Sequence, residues 1–225
     1  VWLNASSSVK FPISFGAGPR IVEVTGEAYF EVARVNYSGV TNATELNSNQ
    51  SSGYIPFVVH TNNQTIKVLG THFNVNSYED EDGERTTLLE GSVWVGPRRT
   101  EGGLPVSDQL NNAGGILLKP GQQVMFAAQG NSGDLQPTII NEVDTDKVVA
   151  WKNGFFAFNS ADLQMVMRQI ARWYDVDVKY EGNIHARFSG SVYRSEDFSE
   201  LLKVIGFACN VKFKINHKTV TVYSD

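Results

Sequence analysis

The side chains here that could do chemistry are four histidines, one cysteine, one run of acids and a few large aromatics. His60, His72, His185 and His217 have no second His, Cys or carboxylate at ligand spacing on one helix, as a zinc site requires. His60 and His72 could approach each other only from neighbouring strands; otherwise they are strand-face residues. Glu79 to Glu84 holds five acids interrupted by Gly83. An EF-hand calcium loop needs ligands at alternate positions and a Glu at the twelfth. Gly83 arrives too early for that and Arg85 follows, so the run predicts a solvated hairpin tip. No metal is expected. Cys209 is alone, which forbids an intrachain disulfide. Its neighbours Phe207 and Val211 predict a small buried hydrophobe. No Gly-x-Ser-x-Gly, phosphate-cradling glycine loop or framed carboxylate pair occurs, so neither an enzyme nor a cofactor is expected. Gly70-Thr71 reads as a turn between two strand segments, where glycine supplies unusual backbone angles. Trp151, Trp173 and Tyr174 fit core or interdomain packing, with an interface as the other reading. Trp94 lies between Val93 and Val95 in an alternating segment. An exposed Trp94 could stack on a sugar, which gives an alternative function: a carbohydrate-binding β domain of a periplasmic or surface protein.

The elements that must position these residues change character near residue 150. Up to Val149 the segments are short, β-branched or aromatic, and bounded by Gly, Pro, Asn or Asp. They are Arg20 to Thr25, Glu27 to Val35, Phe57 to Thr61, Thr65 to Leu69 and His72 to Asn76. Thr86 to Leu89, Val93 to Val95, Ile116 to Leu118 and Val124 to Ala127 complete the series. This pattern predicts an all-β domain over residues 1–150, either a sandwich or a twisted solenoid-like stack. Polar stretches at 36–54, 97–115 and 129–136 read as surface loops. Asp82-Gly83 is a hairpin signal.

From Trp151 onward helical periodicity enters. Phe155 to Phe158 reads as a strand, and Asn159 to Asp162 offers N-capping groups. Leu163, Val166, Met167, Ile170 and Tyr174 then share one helix face. Strands at Val176 to Tyr180 and Phe188 to Val192 follow. Ser195-Glu196-Asp197 precedes a second helix carrying Phe198, Leu201, Leu202 and Ile205 inward, with Gly206 as its expected stop. Val211 to Ile215 and Thr219 to Tyr223 form a closing hairpin. Residues 151–225 are thus a small α+β domain of βαβ-βαβ pattern, expected to hold both helices on one face of a single sheet.

Bulk properties narrow the partners. Hydrophobic residues at 41% and charged residues at 19% allow a packed core. A net charge of −5 without a basic stripe gives nucleic acid no electrostatic footprint. No apolar run approaches the ~20 residues a membrane helix needs, and no signal peptide opens the chain. Val1-Trp2-Leu3-Asn4 reads as the middle of a strand, so the chain is expected to be part of a longer protein.

Six motifs in order carry a resemblance. Val1-Trp2-Leu3-Asn4-Ala5-Ser6-Ser7, Val24-Thr25-Gly26-Glu27-Ala28-Tyr29-Phe30-Glu31-Val32 and Phe57-Val58-Val59-His60-Thr61 come first. Val68-Leu69-Gly70-Thr71-His72-Phe73-Asn74-Val75, Leu89-Glu90-Gly91-Ser92-Val93 and Leu118-Lys119-Pro120-Gly121-Gln122-Gln123 follow. Together they resemble the FecR domain of anti-sigma regulators. Trp151 to Gly154, Ala171 to Val176 and Phe188-Ser189-Gly190 resemble the domain that follows it, itself similar to the short N-terminal signalling domain of secretins and TonB-dependent receptors. The resemblance implies the periplasmic region of a single-pass inner-membrane anti-sigma factor. Its partners would be the periplasmic signalling domain of a TonB-dependent outer-membrane transducer and, through a cytoplasmic segment absent here, an extracytoplasmic-function sigma factor. Some members of the family cleave themselves at a Gly-Thr bond, which makes Gly70-Thr71 a candidate if the turn strains that peptide. A small sheet with an open edge can take a partner strand. The expected docking residues are Val211, Phe213, Ile215, Thr219, Thr221 and Tyr223 along the closing hairpin.

Overall fold

The computed structural model describes residues 1–16, 18–36, 53–98, 115–127 and 137–224. The expected loops at 36–54, 97–115 and 129–136 fall almost wholly outside these residues. Two compact units make up the chain, residues 1–145 and 146–225.

Unit 1 is a curled β structure organised by one long strand. β1 (Trp2–Leu3), β2 (Ser8–Lys10) and β3 (Arg20–Val32) open it. Two segments were expected on either side of Gly26, but β3 runs straight through it. Gly26 has φ +80°, and a Cβ there would lie 2.4 Å from the Ser7 Oγ, so only glycine fits this bend. Before it β3 pairs with β2 and, in parallel, with β4 (Phe57–His60). After it β3 pairs with β1 and β6 (Thr71–Ser77). One strand thereby belongs to two layers. The first layer continues β4, β5 (Gln64–Val68), β8 (Val93–Pro97), β9 (Ile116–Leu118). The second continues β6, β7 (Gly83–Glu90), β10 (Gln123–Ala127), β11 (Pro137–Ile140).

Alternation along the strands turns one apolar row from each layer toward a common core. Val22, Val59, Ile66 and Val95 come from the first layer, Phe73, Val75, Leu88 and Phe126 from the second. Phe30 stacks on Phe73 at 5.0 Å between ring centroids. Each fully buried ring contributes about 1.5–3 kcal/mol plus about 0.5–1.5 kcal/mol for the aromatic pair.

Gly70-Thr71 is not a turn between two paired strands. β5 pairs with β4 and β8, whereas β6 pairs with β3 and β7. The chain crosses between layers at Gly70, and crosses back at Gly91 between β7 and β8. A third crossing at Gly121 joins β9 to β10. The Asp82-Gly83 hairpin expectation matches the antiparallel β6–β7 pair.

Unit 2 interleaves two βαβ halves. β12 (Phe155–Asp162), α2 (Leu163–Tyr174) and β13 (Asp177–Glu181) form the first half; the four-residue α1 (Thr145–Val148) precedes them. β14 (Arg187–Tyr193), α3 (Phe198–Cys209), β15 (Val211–Asn216) and β16 (Thr219–Ser224) follow. A single sheet with both helices on one face is not what forms. β12 pairs with β14, and β13-β16-β15 makes a separate three-stranded sheet. Each half gives its first strand to one sheet and its last to the other. Both helices share one core with both sheets, built from Phe156, Phe158 and Phe188, Leu163, Met167 and Ile170, Leu201 and Ile205, Val220 and Val222.

Local chemistry fixes the helix ends. Asp162 caps α2 by accepting from the Gln164 N–H at 2.8 Å, and Asp197 caps α3 by accepting from Ser199 at 2.9 Å. α3 does not stop at Gly206 but runs to Cys209, with Asn210 as its left-handed C-cap at φ 53°. Gly206 has a packing role instead. A Cβ on it would lie 2.9 Å from the Val211 carbonyl oxygen, so the glycine lets α3 sit directly against β15.

Candidate partner-docking surface

β15 is the outer strand of the three-stranded sheet, and among the described residues its strand partner is β16 alone. An outer strand has the geometry that accepts a further strand. The six expected docking residues divide sharply here. Val211 is buried, Phe213 is partly buried against the core, and Ile215 stays 47% exposed. These three alternate with Lys212 and Lys214, which are exposed on the opposite face. Thr219, Thr221 and Tyr223 lie on β16, the central strand, whose backbone is paired on both sides by β13 and β15. They have no rim of their own and contribute half-exposed side chains on the face shared with Lys212 and Lys214.

Sequence reasoning missed the neighbouring helix surface. Phe207 is 94% exposed and Val204 51%. Phe207 stands opposite Leu201, Leu202 and Ile205, which α3 buries, and Val204 flanks them. The signal was available: at 100° per residue, Phe207 falls on the face turned away from those three.

The other singled-out residues have structural partners. Trp173 donates its Nε1–H to the Arg194 carbonyl at 2.9 Å, and the Arg194 guanidinium lies between Phe156 and Trp173 at 4.8 and 4.6 Å. Tyr174 donates its hydroxyl to the Glu196 carbonyl at 2.7 Å. These contacts tie the end of α2 to the segment leading into α3. Trp151 is half-buried. Cys209 is half-buried with its thiol directed at the Arg187 carbonyl, and burial raises its pKa.

His60 and His72 do not meet on neighbouring strands: His60 pairs with Glu23 at one end of β3, His72 with Glu31 at the other. Burial lowers the His60 pKa, as does Arg98, while Glu23 opposes them; its Nδ1 lies 3.1 Å from the Thr65 Oγ1. His72 meets Glu90 at 3.0 Å. Among the described residues no three His, Cys, Asp or Glu side chains are grouped to hold a metal ion. Trp94 points away from the core, since Val93 and Val95 are fully buried. Its ring lies flat over Gly96 and Gly115 rather than standing clear of the sheet.

Thr71 is 3% exposed and its hydroxyl donates to the Ser92 carbonyl at 3.0 Å. Neither Gly70 nor Thr71 has a positive φ, and no described peptide is cis.

Two family models match in chain order. The FecR protein model covers residues 1–94, and the FecR C-terminal model covers residues 155–222. The chain belongs to the FecR family. Two crystal structures of a candidate anti-sigma factor from Parabacteroides distasonis ATCC 8503, at 1.65 and 2.50 Å resolution, share its fold. Each gives a TM-score of 0.74 at 23% identity over 99% of this chain, and over 89% and 88% of the other. No curated protein matches.

The FecR motifs converge on joints of unit 1. Asn4 and Asn74 donate to the two oxygens of buried Glu27 at 2.7 and 3.0 Å, which ties β1, β3 and β6 together. Gly91 packs on the Gly70-Thr71 corner. Gly121 and Gln122 exchange backbone hydrogen bonds with Leu88. The motif residues therefore hold the strands of unit 1 in register. No described helix is long and apolar enough to cross a membrane.

Proposed function

We propose that this FecR chain is the periplasmic sensor region of a single-pass inner-membrane anti-sigma regulator, acting by protein contact rather than by catalysis. It receives a signal from the periplasmic signalling domain of a TonB-dependent outer-membrane transducer. It passes that signal to an extracytoplasmic-function sigma factor held by a cytoplasmic segment of the longer protein. The observation that carries this reading is the outer-strand position of β15, set in a unit whose two βαβ halves suit domain-to-domain docking. Membership of the FecR family supports the anti-sigma part of this reading.

The test is direct binding. Purified full chain is titrated with purified signalling domains of TonB-dependent transducers from the same genome, and expression of the sigma-dependent reporter is followed in cells. One transducer domain is expected to bind, and its deletion to silence the reporter. Binding of none of them, with a glycan bound instead, would replace the regulator by the carbohydrate-binding alternative.

A further inference from the structure

Two steps in the chain join aspartate or asparagine to glycine, Asp82-Gly83 and Asn153-Gly154. Such a step can close on itself, because the glycine carries no side chain to shield its amide nitrogen from the neighbouring side-chain carbonyl. The structure treats the two differently. Gly83 is buried on β7 opposite Ala127 of β10, and a Cβ there would lie 2.4 Å from the Phe126 carbonyl oxygen. The Asp82 carboxylate is held by Arg85. Ring closure at Gly83 needs room that the sheet does not leave. Asn153 and Gly154 are both exposed, in the turn between α1 and β12. The Asn153 carboxamide has no hydrogen-bond partner among the described residues. The Gly154 N–H donates to the Trp151 carbonyl at 3.3 Å, longer than the usual ~2.9–3.0 Å. A Cβ on Gly154 would meet nothing within 4 Å, so the space around its nitrogen is open.

We propose that Asn153-Gly154 is a site of spontaneous covalent modification in unit 2. The Gly154 nitrogen loses its proton and bonds to the Asn153 Cγ. The side-chain nitrogen leaves as ammonia, and a cyclic imide remains. Water then opens the ring. Attack at the side-chain carbonyl gives aspartate; attack at the backbone carbonyl gives isoaspartate, in which the main chain runs through the former side chain. Nothing is oxidised or reduced. Isoaspartate lengthens the backbone by one carbon just before β12. The Gly154 carbonyl accepts from the Arg194 N–H at 2.9 Å, and the Arg194 guanidinium packs between Phe156 and Trp173. The longer backbone therefore disturbs the bond that joins this turn to the end of β14, whereas aspartate keeps the backbone as it was.

The experiment incubates the folded full chain in warm, mildly alkaline buffer, beside a sample unfolded in urea. Peptides are then mapped by mass spectrometry, with separation of aspartate from isoaspartate. In the folded chain the peptide holding Asn153 is expected to gain one dalton and to split into both forms. Asn153→Gln is expected to leave that peptide unchanged, and Asp82-Gly83 to isomerise in urea alone. Amide exchange at Arg194 is expected to quicken in the isoaspartate form and to stay as in wild type in Asn153→Asp. Conversion of Asn153 in urea but not in the folded chain, or in neither, overturns the site. Isomerisation of folded Asp82 ahead of Asn153 overturns the structural selection between the two steps. Unchanged exchange at Arg194 in the isoaspartate form overturns the stated consequence.

Discussion

Two crossing corners of unit 1 have nearly the same backbone but different surroundings, and this separates two kinds of glycine. Gly91 has φ +90° and Gly121 φ +80°. A Cβ on Gly121 would meet nothing within 4 Å. One on Gly91 would lie 2.8 Å from the Gly70 carbonyl oxygen and 3.3 Å from the Thr71 Cα. Alanine at either place suffers the left-handed backbone penalty of about 1–2 kcal/mol. Only Gly91→Ala must also push a backbone carbonyl aside, an overpacking cost of about 1–3 kcal/mol. The totals are about 1–2 kcal/mol for Gly121→Ala and about 2–5 kcal/mol for Gly91→Ala. At about 2–4 °C per kcal/mol for a unit of this size, the expected falls in Tm are about 5 °C and about 10 °C. Differential scanning calorimetry of the full chain reads the unit 1 transition. Equal falls would mean that the Gly91 corner does not pack on Gly70-Thr71, and the account of how the layers are joined would be wrong.

Three further outcomes follow from the same geometry. The Thr71 hydroxyl is engaged by the Ser92 carbonyl and both corner residues have ordinary backbone, so long incubation is expected to leave a single intact mass; fragments split after Gly70 would show strain there. Asp197→Ala removes the acceptor for two α3 N–H groups and is expected to cost unit 2 about 1 kcal/mol in urea unfolding, a loss that Asp197→Asn should largely avoid. Glu84 is 4% exposed and accepts hydrogen bonds from Thr61 and from the Asn63 backbone; burial raises its pKa against those bonds. The folded chain then binds this proton more readily than the unfolded one, so ionising Glu84 costs stability as pH rises from the ordinary carboxylate value through the raised one. The stability of Glu84→Gln relative to wild type should therefore increase between about pH 4 and pH 7. A flat or opposite trend in paired urea titrations would exclude a raised pKa.

Features decided by near neighbours were legible in the sequence. Asp162 and Asp197 cap helices because a short acceptor one residue before a helix meets orphan N–H groups wherever it occurs. The β6–β7 and β15–β16 hairpins announced themselves through their turns. Features decided by distant pairing were not legible. Gly70 and Gly91 look like hairpin glycines, yet each joins strands of different layers, because the partners of β5 and β6 lie elsewhere in the chain. Gly26 looks like a break between strands, yet Ser7 fills the space a side chain would need, and β3 continues.

The docking surface shows the same division. That the closing hairpin leaves an edge could be read from strand order. Which strand owns the edge could not, because it depends on β13 reaching past the hairpin to pair in parallel with β16. That single pairing seals Thr219, Thr221 and Tyr223 into the sheet centre and leaves β15 outside. Phe207 was overlooked for a related reason. Helix reading sought the residues that bury, and those on α3 satisfy the core without it.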